Sequence, residues 1–228
     1  MKKNTSVVFD LDGTLLDSPN AGKYRVSVLL AINGISFGKG EREKFFSQWG
    51  RPVIPMLMDT LGISEDHAAL INKQWEIWDT VDPVSLIDGA REIVSWSREA
   101  CGGIALFTSR HTENTGELLR ALDLLDSFSL SVGLEGDTKR RFFSPSYEKK
   151  DPRSFVSIAE YMRREHGTEE VVYVGDTVFD VGYARNAGLT AVAVLSGGTS
   201  FEDFRNMGVS EKDILSSVRD IPGWIQGI

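Results

Sequence analysis

The sequence predicts an α/β protein built on a doubly wound parallel sheet, with a smaller helical domain inserted near its start. Three observations indicate this: short apolar runs alternate with longer amphipathic stretches, several of the runs end on Asp or Thr, and one long interval lacks a convincing strand. Strands that alternate with helices favour a parallel sheet covered by helices on both faces. Such sheets bind ligands beyond the carboxyl ends of their strands.

The alternating elements are short and clearly bounded along most of the chain. Apolar runs that suit buried strands are separated by stretches with helical periodicity. The candidate strands are 6–11, 103–108, 128–132, 171–176 and 190–195, and the candidate helices between them are 88–100, 112–124, 152–166 and 178–187.

The interval from Ser18 to Asp82 breaks this alternation. It is helical in pattern, rich in aromatic residues and punctuated by a glycine-containing segment at 34–40. Pro and turn residues stand at both of its joins with the rest of the chain, as is typical of domain boundaries. We therefore expect a core domain formed by residues 1–16 and 84–228, with a helical domain of residues 17–83 inserted into it.

Length, charge and cysteine content narrow the class of protein. The chain has 228 residues, more than the ~100–200 of a typical single domain, so one large or two unequal domains are expected. Its net charge of −8 argues against nucleic acid or an anionic membrane as a partner. A single cysteine, Cys101, excludes an internal disulfide framework, and neither a signal peptide nor a membrane span is found. We expect a cytoplasmic protein, either monomeric or homodimeric.

Two pairs of acids follow apolar runs and predict a metal site. Asp10 and Asp12 end the first run, where positions i and i+2 point the same way, and Asp176 and Asp180 follow a later run at helical spacing. Clustered carboxylates repel each other and lose solvation, so they need a cation, and Mg²⁺ is the natural candidate. A simple turn at Gly13 and an acidic helix start would each explain one pair. The recurrence of strand-end acids favours the metal.

Two motifs in the correct order give the chain a family resemblance. They are Asp-Leu-Asp-Gly-Thr at 10–14 and Gly-Asp-x-x-x-Asp at 175–180, with Leu-Phe-Thr-Ser at 106–109 as a weaker third. The chain resembles the haloacid dehalogenase superfamily, in its phosphatase branch with a small helical cap, such as phosphoglycolate phosphatases and β-phosphoglucomutases. The resemblance covers nearly the whole chain. It implies a Rossmann-like catalytic core and a cap that sets substrate specificity.

The resemblance also implies a role for each motif residue. Asp10 would be the nucleophile that forms an aspartyl phosphate, and Asp12 would act as acid and then as base. Mg²⁺ would be held by Asp10, Asp176 and the backbone carbonyl of Asp12, with Asp180 bound directly or through water. Thr108 would donate its hydroxyl to a phosphoryl oxygen.

The catalytic lysine that the family requires stands in an altered motif. Family members usually show Lys-Pro-x-Pro, whereas this chain has Lys-Lys-Asp-Pro at 149–152. Alignment on Pro152 selects Lys149. Lys150 is the alternative, because loss of the intervening proline relaxes the backbone constraint that would fix the register. The basic cluster at 139–141 is interpreted as a solvated loop.

Four further residues are candidates for substrate binding. Ser109 and Arg110 lie on the loop after the second strand, where they could touch substrate or simply begin a surface helix. In the cap, Gly50 and Arg51 resemble the segment with which family members present specificity residues. Arg51 could bind a carboxylate or second anionic group of the substrate, or be a surface arginine that precedes a helix.

The function that the resemblance implies is that of a Mg²⁺-dependent phosphatase acting on a small phosphorylated metabolite, similar to phosphoglycolate phosphatase. The alternative is a sugar-phosphate mutase of the β-phosphoglucomutase type, which returns the phosphoryl group to a sugar hydroxyl. A non-catalytic binding protein on the same fold is disfavoured, because the nucleophile and the acid are both present.

Overall fold

The computed structural model describes residues 4–49, 51–138, 149 and 151–227. The chain divides into two compact units, one that runs to Asp17 and resumes at Leu86, and a second formed by Ser18–Ser85. The first unit is an α/β fold, and the elements described in the second are all helices. The predicted class, an α/β protein with an inserted helical segment, is therefore confirmed.

One seven-stranded sheet forms the centre of the α/β unit. The strands are β1 Thr5–Phe9, β2 Gly103–Phe107, β3 Leu130–Gly133, β4 Gly136–Asp137, β5 Glu170–Gly175, β6 Thr190–Val194 and β7 Ile214–Leu215. Their order in the sheet is β4-β3-β2-β1-β5-β6-β7, and every pair is parallel except β3 with β4. The central strand β1 therefore has β2 on one side and β5 on the other, so the carboxyl ends of these three strands meet at one edge.

Burial explains why the apolar runs became strands. Every residue of β2 is buried, as are all residues of β5 after Glu170, which is the pattern of a parallel sheet covered on both faces. The five predicted strands form close to their expected bounds. The two-residue edge strands β4 and β7 were not predicted, because so short a pairing has no periodicity to detect.

The described part of the chain contains ten α-helices. None of them combines the length and hydropathy that a bilayer crossing requires. They are α1 Ser18–Ile32, α2 Lys39–Phe46, α3 Val53–Leu61, α4 Glu65–Val81, α5 Ala90–Ala100, α6 Thr112–Ala121, α7 Pro152–His166, α8 Val178–Asn186, α9 Phe201–Asn206 and α10 Ile221–Gln226.

Helix α7 shows how local chemistry sets an element's ends. The Asp151 side chain accepts a hydrogen bond from the backbone N–H of Arg153 at 2.9 Å, and Pro152 occupies the first turn. Gly167 ends the helix in a left-handed conformation with φ of 62°. Because these capping residues can be recognised in the sequence, the helix was predicted with the same bounds as in the structure.

The helical unit has its own core, and a buried ion pair crosses it. Arg25 on α1 pairs with Asp79 on α4, and both side chains are buried. The same guanidinium donates to the backbone carbonyl of Asp82 and lies over the ring of Trp78. The core is made of Val26, Leu29, Leu30, Phe45, Met56, Leu57, Ala68, Ile71 and Trp75.

Candidate active site

The ammonium of Lys149 joins two of the predicted acids. Asp10 follows β1 directly, and its backbone N–H donates to the carbonyl of Val174 on β5 at 2.9 Å. Lys149 Nζ lies 2.6 Å from Oδ1 of Asp10 and 2.7 Å from Oδ2 of Asp180, which is on the first turn of α8. Asp10 and Lys149 are both only 4% exposed. The structure thus brings together residues that are far apart in the sequence.

Aromatic residues complete the surroundings of this ammonium. Lys149 Nζ lies 5.8 Å from the ring centroid of Phe107 and 5.9 Å from that of Tyr173, within the range of cation–π attraction. The Tyr173 hydroxyl donates to Oδ2 of Asp180 at 3.3 Å. Neither aromatic was predicted to belong to the site. The available signal was the tyrosine itself, whose hydroxyl needs a partner in an otherwise apolar strand.

Asp176 is the most enclosed of the acids. It follows β5, is 1% exposed, and its Oδ1 has no hydrogen-bond partner among the described residues. A β-carbon on Gly13 or Gly197 would overlap its carboxylate, so glycines line it on two sides. The Ser196 hydroxyl donates to the backbone carbonyl of Gly13 at 2.7 Å and joins these two loops. A buried carboxylate oxygen without a partner is costly unless something else binds it.

Burial and mutual repulsion set the pKa values of these groups. Burial raises the pKa of Asp10 to about 7, although the neighbouring ammonium of Lys149 opposes the shift. Burial also raises the pKa of Asp176 well above its usual value, and the charges of Asp10 and Asp180 add to this effect. Burial disfavours the charge on Lys149, but the carboxylates of Asp10 and Asp180 outweigh it and hold the pKa of Lys149 above its ordinary value. The ammonium of Lys149 therefore contacts two of these three acids, Asp10 and Asp180.

Asp12 lies outside this buried group and has a different partner. Arg110 donates to both of its carboxylate oxygens, from Nε to Oδ2 at 2.8 Å and from Nη2 to Oδ1 at 2.7 Å. The Asp12 side chain is 31% exposed and that of Arg110 is 18% exposed. Thr108 is buried, and its hydroxyl oxygen accepts the backbone N–H of Arg110 at 3.2 Å. The pairing of Arg110 with Asp12 was not predicted.

The remaining candidates are placed differently. Ser109 is exposed on the loop after β2. Arg51 belongs to the helical unit, where it pairs with Asp59 at 2.8 Å and donates to Gln48, an arrangement that suits a surface arginine. The other candidates, Gly50 and Lys150, lie outside the described residues, as does the basic cluster at 139–141.

The acid cluster fits a hard divalent cation by its chemistry. As they stand, the described residues contain no group of three or more His, Cys, Asp or Glu side chains arranged to hold a metal ion. The Lys149 ammonium lies between Asp10 and Asp180 and serves as their cation. The donors are nevertheless all oxygen atoms, and among the described residues negative charge is in excess and one buried oxygen of Asp176 lacks a partner. These are the properties that magnesium sites require.

Comparisons with known proteins identify the family of the chain. The family model described as haloacid dehalogenase-like hydrolase matches residues 7–194. A phosphoglycolate phosphatase of Rhodobacter capsulatus is 27% identical over 201 residues, covering 84% of each chain. A relative from Caldanaerobacter subterraneus, 27% identical over 195 residues and covering 84% of this chain and 82% of its own, carries a pyrophosphatase name.

The fold has close counterparts among solved structures. A haloacid dehalogenase-like hydrolase of Streptococcus pneumoniae superposes with a TM-score of 0.73, at 17% identity, over 99% of this chain and 100% of its own. At that identity the likeness concerns the fold, while the family model spans most of the chain and includes both acid motifs. The chain therefore belongs to the haloacid dehalogenase-like hydrolase family.

Proposed function

We propose that the protein is a Mg²⁺-dependent phosphatase that hydrolyses a small phosphorylated metabolite through an aspartyl-phosphate intermediate. The single observation that carries this proposal is the contact of Lys149 Nζ with both Asp10 and Asp180 in a buried site. A cation fixed beside a strand-end carboxylate suits the binding of a phosphoryl group next to a nucleophile. The phosphatase names among the relatives support the same reaction.

In the first half of the reaction, the Asp10 carboxylate attacks phosphorus. The new oxygen–phosphorus bond forms as the ester bond to the leaving alcohol breaks, and Asp12 gives its proton to the departing oxygen. Lys149 holds the Asp10 carboxylate in position and offsets the charge of the phosphoryl oxygens. The hydroxyl of Thr108 donates to one of those oxygens, which positions the group for in-line attack.

In the second half, Asp12 acts as the base. Its carboxylate takes a proton from a water molecule, whose oxygen attacks phosphorus and releases inorganic phosphate, while Asp10 regains its carboxylate. The two halves leave both acids as they began, so the cycle balances with water as the only co-reactant.

The residues that would hold Mg²⁺ are Asp10, Asp176, Asp180 and the backbone carbonyl of Asp12. The bound ion would neutralise the repulsion between the anionic nucleophile and the anionic phosphoryl group. Two observations support the assignment: Oδ1 of Asp176 has no hydrogen-bond partner in the described part of the chain, and the pKa of this buried acid is raised. The helical unit of residues 18–85 would set substrate specificity, with phosphoglycolate as the first compound to test.

The experiment is a phosphate-release assay over a panel of small phosphomonoesters, with Mg²⁺ and with a chelator. Asp10→Asn keeps the shape of the side chain but removes its anionic oxygen, so we expect turnover to fall by about 10³-fold or more. Rapid quenching of the wild type during turnover should trap phosphate esterified to Asp10. Phosphate release that survives both Asp10→Asn and chelation would contradict the proposal. Isomerised sugar phosphate in place of free phosphate would identify a mutase.

A further inference from the structure

Arg110 forms an ion pair with the carboxylate of Asp12, which acts first as the acid and then as the base in the proposed mechanism. Both oxygens of the Asp12 carboxylate accept from the guanidinium, at 2.7 and 2.8 Å. A bidentate pair of this kind fixes the carboxylate in orientation as well as in position. Asp12 must leave this pairing, at least in part, before it can reach the oxygen of a leaving alcohol.

Backbone hydrogen bonds fix the main chain of Arg110, so a change of partner would involve its side chain. Its N–H donates to the hydroxyl oxygen of Thr108 at 3.2 Å, and its carbonyl accepts the N–H of Leu134 at 2.9 Å. A β-carbon on Gly133 would lie 2.7 Å from that carbonyl oxygen, so the loop and the end of β3 are packed tightly. The guanidinium therefore extends from a rigid base beside the proposed phosphoryl site.

We propose that Arg110 is a positioning residue that holds Asp12 in a resting orientation, and that an anionic group on the substrate's leaving alcohol releases Asp12 by taking over the guanidinium. A substrate carboxylate presents the same planar pair of oxygens as Asp12, so the exchange replaces one bidentate pair by another. The substrate class that this favours is a phosphomonoester whose alcohol carries a carboxylate close to the ester oxygen. This inference rests on the proposed phosphatase function and on the assignment of Asp12.

The solvent exposure of the Arg110–Asp12 ion pair agrees with an exchange of partners rather than with a purely structural role. The side chains of Arg110 and Asp12 are 18% and 31% exposed, whereas those of Lys149 and Asp10 are 3% and 6% exposed. A small anion can therefore approach the first pair without entering the buried one. A substrate without such an anion would leave Arg110 on Asp12, and only the fraction of molecules with Asp12 released would turn over.

The test compares phosphoglycolate with its neutral carboxamide, in wild type and in Arg110→Gln. The wild type should turn over phosphoglycolate with a kcat/KM about tenfold or more above that of the amide, a preference typical of a charge-assisted hydrogen bond. In Arg110→Gln, KM for phosphoglycolate should rise. In the same variant, kcat for the amide should increase about threefold or more, because Asp12 is no longer held. An arginine that only bound substrate would not raise the turnover of the amide.

Two further variants make the result decisive. Arg110→Lys keeps the positive charge but lacks the planar guanidinium, and it should also raise kcat for the amide. Thermal melting should show that Arg110→Gln and Arg110→Lys both fold. Arg91→Gln removes a surface arginine that donates to the carbonyl of Leu122 and should leave both substrates unaffected.

The inference is overturned if kcat for the amide is unchanged or lower in Arg110→Gln. It is also overturned if the wild type turns over the amide and phosphoglycolate equally well. The same holds if the wild type hydrolyses neither compound but releases phosphate from other esters. In each of these cases phosphate release that is lost in Asp10→Asn would leave the phosphatase proposal standing. Release that survives both Asp10→Asn and chelation would instead contradict the phosphatase proposal itself.

Discussion

The hydroxyl of Tyr173 donates to the same Asp180 oxygen that accepts from Lys149. The two donors lie 3.3 and 2.7 Å from Oδ2, so one carboxylate oxygen joins strand β5 to the ammonium beside Asp10. Burial raises the pKa of Tyr173 well above its usual value, and the charge of Asp180 adds to the shift, so the phenol keeps its proton and remains a donor. Tyr173 therefore orients Asp180 from beneath the proposed active site.

Tyr173→Phe should lower kcat with little change in KM. The substitution keeps the ring that faces Lys149 but removes one donor to Asp180, a loss of about 0.5–1.5 kcal/mol and therefore a fall of about threefold to tenfold. Steady-state kinetics with any phosphoester that the wild type hydrolyses would measure it. Tyr183→Phe is a matched control, because both tyrosine rings pack on Phe155. Equal kinetics in the two variants would show that the Tyr173 hydroxyl plays no part.

Gly197→Ala should disturb Asp176 directly. A β-carbon at this position would overlap the Asp176 carboxylate, which is buried. We expect a loss of stability of about 1–3 kcal/mol, as in other overpacked sites, and a higher Mg²⁺ concentration for half-maximal turnover. Thermal unfolding and magnesium titration of activity measure the two effects.

The neighbouring glycine supplies the control for that substitution. A β-carbon on Gly198 would meet nothing within 4 Å, so Gly198→Ala should change stability by no more than about 0.5 kcal/mol. Should Gly197→Ala bind magnesium as the wild type does, Asp176 would not be one of the ligands proposed here.

Much of the fold could be predicted because its signals are local. The bounds of α7 follow from its capping Asp151, the first-turn Pro152 and the terminal Gly167, all within one stretch of sequence. The placement of Asp10 and Asp176 at neighbouring strand ends follows from a general property of parallel sheets. Local chemistry and sheet topology were therefore sufficient to bring these acids together.

Side-chain partners between distant segments could not be predicted in the same way. Arg110 and Asp12 are separated by 98 positions, and the sequence offers several other acids that an arginine could meet. Tyr173 lies in an apolar run whose burial was predicted. The side chains that Tyr173 contacts could not be predicted, because they depend on three-dimensional packing. The edge strands β4 and β7 pair over two residues each, too few to leave a periodic pattern.

Substitution of the two adjacent lysines should separate their roles. Lys149→Gln removes the ammonium that contacts Asp10 and Asp180, and we expect phosphate release to slow by about 10²-fold or more, as when a preorganised donor is lost. Lys150→Gln should retain turnover close to that of the wild type. The reverse order of effects would transfer the catalytic assignment to Lys150.

A final prediction concerns stability and pH at the opposite end of the sheet. His166, in the last turn of α7, forms a hydrogen bond of 3.0 Å between its Nε2 and the Ser129 hydroxyl. Its ring packs against Gly103 at the start of β2. Burial lowers the pKa of His166 below its usual value of 6.5, against the opposing charge of Glu165. Between the lowered pKa and 6.5 the unfolded chain binds more protons than the folded one, so stability falls as the pH falls through this window.

His166→Gln retains a group that can hydrogen-bond to Ser129 but does not titrate. Chemical denaturation of the wild type and the variant at about pH 7.5 and about pH 5.5 should therefore show a smaller acid-induced loss of stability in His166→Gln. His67 is exposed on α4, and His67→Gln should follow the wild type at both pH values. If His166→Gln loses as much stability on acidification as the wild type, then protonation of His166 does not oppose folding, and the acid sensitivity arises from other groups.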